Sequence, residues 1–233
     1  MMADDSVSMH HRLARIGLRV GGPYGFALAG GYAIAAHGIL TRRSEDVDLF
    51  ADWQRRADFP AAVDALIAAY TAEGFTVRVD LRLDTFSRLY LTDSAHPDDH
   101  HRVELVSNWR SHPPVTMDIG PVLHSDDVMA GKVDALYNRA AARDYLDLDA
   151  VITTGRYTLD QLCELAHAAD AGFDRSMFAA MVRHIDRLDD EDFVAYGLSA
   201  ADVAALRMRV DGWWHHLVGN PADYTLRASD PRL

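Results

Sequence analysis

One cysteine in 233 residues, Cys163, rules out an internal disulfide and fits a reducing compartment, so the chain is expected to be cytoplasmic. No apolar run approaches the length of about 18 residues that a membrane helix needs. The opening MMADDSVSMHH is polar and acidic, so neither a transmembrane span nor a secretory signal is expected. A surplus of positive charge is missing too. The formal net charge of −12 argues against broad, nonspecific attraction to nucleic acid, which requires a basic surface that displaces counterions. It leaves room for a local basic groove. Lysine is nearly absent: among 23 Lys and Arg residues only Lys132 is lysine, so arginine reflects a chain-wide bias and one compact ammonium stands out. What is present, 49% hydrophobic and 25% charged residues, is that of an ordinary soluble globule with a sizeable core, in one large domain or two small ones.

The richest stretch runs from Phe26 to Phe50, FALAGGYAIAAHGILTRRSEDVDLF. Phe26 to Ala29 suits a short buried strand, Gly30-Gly31 a tight turn with exposed backbone, and Tyr32 to His37 a short helix. Backbone N–H groups at such a turn are a natural place for phosphate oxygens. After a loop with Arg42, Arg43 and Ser44, the run Asp46-Val47-Asp48-Leu49-Phe50 alternates acid and apolar residues, which places both carboxylates on one face of a strand. Two strand positions span roughly 6.6 Å between Cα atoms, so the acids can converge on one cation or a pair. Mg2+ suits them, because it prefers carboxylate oxygens, keeps several waters and is shared with substrate phosphates. A polar strand face that happens to carry two Asp accounts for the acids. It accounts for neither the glycine turn nor its place in the chain.

The Gly-Gly turn, helix, Arg-Ser loop and Asp-Val-Asp-Leu-Phe strand together resemble the nucleotidyltransferase signature of the DNA polymerase β-like superfamily. Within it they resemble the AbiEii/AbiGii-type toxin family, to which the MenT-type toxins are similar. A second block, Lys132 to Leu148, KVDALYNRAAARDYLDL, resembles that family's pattern of Lys, Ala-Leu, Arg and Arg-Asp-x-x-Asp-Leu. The resemblance implies an α/β fold: a polymerase β-like core with a mixed sheet over residues 1–121, then a mainly helical C-terminal domain over 122–233. It implies Asp46, Asp48 and Glu104 as catalytic acids and metal ligands, and Lys132 as a catalytic residue near the phosphates. Gly30, Gly31, Arg43, Ser44, Lys132 and Asp144 are the implied nucleotide-binding residues. The implied reaction is Mg2+-dependent transfer of a nucleoside monophosphate from an NTP to RNA, in particular the tRNA 3′ end, with a cognate antitoxin as partner. Two departures stand out: the wider superfamily often has Gly-Ser where this chain has Gly30-Gly31, and the third acid is Glu104 rather than Asp. They keep two alternatives open, transfer to a small hydroxylated molecule as in antibiotic nucleotidyltransferases, and a nucleotide-binding module without catalysis.

Around these blocks, Val7 to Val20 and Pro60 to Tyr70 read as helices. Phe75 to Leu83, Thr85 to Thr92, Arg102 to Ser107 and Val115 to Ile119 read as strands, and Asp93 to His101 as a polar turn. Glu104 projects opposite to Val103 and Leu105, and a neighbouring strand about 4.8 Å away would bring it to the two Asp. His96, His100, His101 and His112 fall in loops without a Cys pair or an HExxH helix, which favours solvated histidines over zinc ligands. From Ser125, a plausible N-cap, the pattern is helical. No break is signalled near Ala140, so Lys132 and Asp144 are expected about 18 Å apart along one helix and could serve one nucleotide only if it bent. Further helices are expected at Leu159 to Ala168, Arg175 to Leu188 and Ala200 to Val218.

Overall fold

The computed structural model of the chain describes residues 2–40 and 44–219. In chain order its regular elements begin with helix α1 (Met2–Gly21), strand β1 (Ala27–Leu28), helix α2 (Gly30–Ala36) and strand β2 (Asp46–Asp52). Helix α3 (Phe59–Ala72) follows, then strands β3 (Phe75–Arg82), β4 (Phe86–Asp93), β5 (His96–Asn108), β6 (Val115–Met117) and β7 (Gly120–Val122). The remainder is helical: α4 (Ser125–Asn138), α5 (Ala142–Thr153), α6 (Leu159–Ala169), α7 (Arg175–Val182), α8 (Asp190–Val194) and α9 (Ala200–Val218). No helix among the described residues is long and apolar enough to cross a membrane. The chain divides into two compact units between Val128 and Met129, within α4.

The first unit is built on a seven-stranded sheet in the order β3-β4-β5-β2-β1-β7-β6. It is mixed, since β2 runs parallel to β5 and β1 parallel to β7 while the other neighbours are antiparallel. Alternation along the strands separates two faces. Val47, Leu49, Leu89, Leu91, Val103 and Leu105 are wholly buried on one of them. Leu13, Ile16, Phe59, Val63, Leu66 and Tyr70 supply the buried apolar faces of α1 and α3, and α1 packs on both α3 and β2. The Tyr70 hydroxyl, sealed in this core, donates to the Leu13 carbonyl at 3.1 Å. Gly17 makes the crossing possible: a Cβ there would stand 2.4 Å from Leu49 Cδ1 and 2.6 Å from the Tyr70 oxygen.

Two expectations from the sequence are corrected. Residues 93–101 are not a polar turn, because β4 and β5 continue as a hairpin in which Thr92 pairs with His100 and Asp93 with His96. Residues 96–100 are exposed, so this part of the hairpin carries no alternation of buried and exposed positions to betray it. The long helix expected from Ser125 is also broken. Chain direction changes at Ala140, which takes a left-handed φ of 47°, and α5 starts anew with the Asp144 carboxylate accepting the Ala141 N–H at 3.0 Å.

In the second unit, α5 contributes Tyr145, Leu148 and Val151 to a core completed by Leu162, Phe178, Val182, Phe193, Val203, Leu206 and Val210. The Tyr145 hydroxyl donates to the Met181 carbonyl at 2.8 Å. Trp213 is buried, while Trp214 lies under the Arg183 guanidinium at 4.9 Å.

Candidate active site

The face of the sheet opposite α1 and α3 is polar, and strand register assembles it. In the parallel pair β2 and β5, Asp46 stands beside Arg102 and Asp48 beside Glu104. Antiparallel β4 then places Tyr90 beside Arg102 and Arg88 beside Glu104. One row across the sheet therefore reads Asp48, Glu104, Arg88, and the next Asp46, Arg102, Tyr90. Carboxylate oxygens of Asp46, Asp48 and Glu104 lie within 4.8 Å of one another. The sheet thus brings together the three acids that the sequence singled out.

Three carboxylates at such spacing repel one another unless positive charge intervenes. Arg102 pairs through Nη2 with Asp46 Oδ2, and its Nε lies 3.8 Å from Glu104 Oε1. Arg88 donates from Nε to Glu104 Oε1 at 2.9 Å, and Ser44 Oγ donates to Asp46 Oδ1 at 3.3 Å. Burial alone would lower the pKa of Arg102, but Asp46 and Glu104 outweigh it and hold the guanidinium above its ordinary value. Arg102 Nε is buried without a hydrogen-bond partner. All-oxygen donors that converge in this way fit a hard cation such as Mg2+.

The glycine turn is fitted to this cluster. Gly30 takes φ +59°, and a Cβ on it would lie 1.7 Å from Asp48 Oδ2. No side chain fits there, so the first turn of α2 meets the Asp48 carboxylate directly. A Cβ on Gly31 would meet Ser44 Oγ at 2.8 Å. The Ser44 hydroxyl therefore fills the space that a serine at position 31 would need. Arg43 lies outside the described residues.

The second block sits in the second unit. Lys132 Nζ, on α4, pairs with Asp147 Oδ2, on α5, at 2.8 Å, and the Asp147 side chain is only 1% exposed. This is a buried ion pair. Asp144 is wholly buried, and its oxygens accept from Arg139 Nε at 2.9 Å, Arg139 Nη2 at 2.7 Å and Ala141 N–H at 3.0 Å. Those bonds restart the helix. Sequence reasoning overlooked Asp147, although the Arg-Asp-x-x-Asp-Leu pattern contains it. It also overlooked Arg88 and Arg102, whose only signal is a strand period in step with Glu104.

No curated protein matches the sequence. Among solved structures, a candidate nucleotidyltransferase from H. pylori superposes with a TM-score of 0.57 at 15% identity, covering 89% of this chain and 92% of that one. JHP933 from Helicobacter pylori gives 0.55 at 15% identity, covering 96% and 97%. MenT4, a nucleotidyltransferase toxin from Mycobacterium tuberculosis H37Rv, gives 0.50 at 18% identity, covering 96% and 88%. At such identities these likenesses establish the fold. The family model described as nucleotidyl transferase AbiEii toxin, Type IV toxin–antitoxin system, matches residues 13–212, and the chain belongs to that nucleotidyltransferase family.

Proposed function

We propose that this chain is a Mg2+-dependent nucleotidyltransferase that moves a nucleoside monophosphate from an NTP to the 3′ end of an RNA, with tRNA as the preferred acceptor. It would act in the cytoplasm and be held in check by a cognate antitoxin. The observation that carries this reading is the convergence of Asp46, Asp48 and Glu104 against a turn that only Gly30 can make.

In this reading Asp46, Asp48 and Glu104 hold the metal. When bound, Mg2+ polarises phosphoryl oxygens and lowers the pKa of the attacking hydroxyl. Gly30 and Gly31 keep the backbone of the first α2 turn bare beside Asp48, which leaves room for a nucleotide to approach. Arg88 and Arg102 hold the carboxylates in place, and their planar forks suit triphosphate oxygens. Ser44 orients Asp46. The family pattern of its block gives Lys132 a role near the phosphates, and one of its three donors is engaged by Asp147. The resemblance also gives Arg43 and Asp144 nucleotide-binding roles, that of Asp144 being indirect, through the helix start that it fixes.

A chain of net charge −12 needs a local patch to meet RNA. Arg78, Arg88 and Arg102 share the carboxylate face, with the Arg78 guanidinium 4.5 Å from the centre of the Tyr90 ring. Such a combination of forks and an aromatic plane suits a single-stranded end. The test is incubation of the chain and Mg2+ with each labelled NTP and purified tRNA, total RNA or small hydroxylated acceptors. Label at the RNA 3′ end that disappears with Asp48→Asn is the expected result. Label confined to small molecules would overturn the acceptor, and NTP binding without transfer to any acceptor would make the chain a binding module.

A further inference from the structure

A second group of metal-ligating side chains lies away from the carboxylate row, where the loop after β5 meets the start of α4. The β6-β7 hairpin brings its parts together: Val115 pairs with Val122, so the chain segments on either side of the hairpin run close to each other. His112 lies before it and His124 after it. Their rings stack with centroids 4.3 Å apart and 24° between planes. One ring nitrogen of each and one Asp126 oxygen lie within 4.8 Å of one another.

The nitrogen chemistry is already biased toward a ligand. His124 Nδ1 accepts the Asp126 N–H at 3.2 Å, which makes His124, rather than Ser125, the capping residue of α4 and selects the tautomer with the lone pair on Nδ1, which a cation would have to take over from that long bond. Asp126 Oδ2 stands 3.6 Å from that nitrogen. Two ligands roughly 2.1 Å from a tetrahedral ion stand about 3.4 Å apart, so this pair is close to ligand spacing. His112 Nδ1 is buried and has no hydrogen-bond partner. Asp127 Oδ2 lies 3.5 Å from it, fixed by accepting the His112 N–H at 3.0 Å, while Oδ1 accepts the Ser111 N–H at 2.8 Å. That carboxylate is near enough to draw the proton to Nδ1 by its charge, without a hydrogen bond, which favours the tautomer with Nε2 bare for a metal. His112, His124 and Asp126 are each partly exposed, so an ion can enter from solvent.

We propose that His112, His124 and Asp126 form a second cation site, selective for a borderline divalent transition ion such as Zn2+, with water completing its coordination. Two imidazoles and one carboxylate favour Zn2+, Co2+ or Ni2+ over Mg2+, the opposite preference from the all-carboxylate row. The ion clips the loop that follows β5 to the first turn of α4. The strand that leads into that loop carries Glu104, so the clip fixes the chain just beyond one residue of the proposed reaction. The site itself does not depend on that reaction.

Zn2+ alone, titrated in the presence of excess Mg2+ into the full chain, tests the proposal, with Co2+ absorption reporting the ligand field. One equivalent should bind, the melting temperature should rise, and the visible Co2+ bands should be those of an imidazole-bound ion. His112→Ala and His124→Ala should each weaken binding by more than about tenfold, the range already seen for groups behind the ligands. Asp126→Asn, which keeps the shape of the side chain, guards against a loss that merely reflects misfolding, and all variants are compared by circular dichroism. Asp48→Asn should bind Zn2+ like the parent. Binding that is absent, unchanged in the three variants, or lost only in Asp48→Asn would overturn the site.

Discussion

Gly30→Ala offers the most direct test of how the glycine turn and the acids depend on each other. An alanine at φ +59° pays the left-handed penalty of about 1–2 kcal/mol. Its Cβ would also start 1.7 Å from Asp48 Oδ2, and real Cβ contacts do not fall under 3.0 Å, so the oxygen must retreat by 3.0 − 1.7 = 1.3 Å or more. A displacement of about 1 Å in a reacting constellation costs about a hundredfold in rate. The stability term alone lowers the melting temperature by only a few degrees, about 2–4 °C for each kcal/mol in a chain of this size. We therefore expect a folded variant whose transfer rate has dropped by at least about a hundredfold. Gly31→Ala is the milder comparison, because its Cβ meets Ser44 alone, Oγ at 2.8 Å and Cβ at 3.1 Å, and no carboxylate of the row. Labelled-NTP transfer at saturating Mg2+, read beside thermal melts, gives both quantities. Parent-like transfer by Gly30→Ala, or equal losses in the two variants, would refute the claim that Asp48 needs this bare backbone.

Asp46→Asn and Asp48→Asn should each abolish transfer while the chain remains folded, as circular dichroism would show; near-normal turnover by both would eliminate the site. Lys132→Ala takes one partner from the buried Asp147 carboxylate and should cost up to about 3–5 kcal/mol, whereas Lys132→Met with Asp147→Leu should restore part of that stability but not activity. A double variant that transfers at the parent rate would remove both residues from the reaction. Burial pushes the Cys163 thiol up to about 11, so the folded chain keeps a proton that an unfolded thiol releases above about 8.5, and stability should decline as pH rises through that window. Iodoacetamide at pH 8 should label Cys163 only after unfolding, and rapid labelling of the native chain would contradict its burial.

The acids were legible because a period of two is hard to disguise: Asp46-Val47-Asp48 and Val103-Glu104-Leu105 announce one polar face each. The parallel register that sets Glu104 beside Asp48 was not, since α3 and two strands separate them in the chain and no local signal encodes which strands become neighbours. Arg88 and Arg102 were hidden by abundance, two forks among many arginines. The break at Ala140 has neither glycine nor proline to mark it, and its cause, the bonds that Asp144 accepts, becomes visible only when the two turns are seen together. His112 and His124 match no ligand spacing because the β6-β7 hairpin, rather than a helix or knuckle, brings them together.

Arg88 and Arg102 also set the order in which the carboxylate row can fill. Each is already bound to an acid, Arg102 to Asp46 and Arg88 to Glu104, so these oxygens must be shared or released before they coordinate a cation. For a cation alone that release has no compensation, because each guanidinium would lose a charge-assisted bond of about 1.5–3 kcal/mol and gain only water. A triphosphate changes the balance, since its oxygens accept from the same planar forks and its charge offsets that of the incoming ion. Cation and nucleotide should therefore bind more tightly together than either does alone. Calorimetric titration of Mg2+ with and without a non-hydrolysable NTP measures this coupling, and Arg102→Gln should weaken it while raising the affinity for Mg2+ alone. Identical Mg2+ affinity in the presence and absence of nucleotide would show that the arginines hold the acids without competing for them.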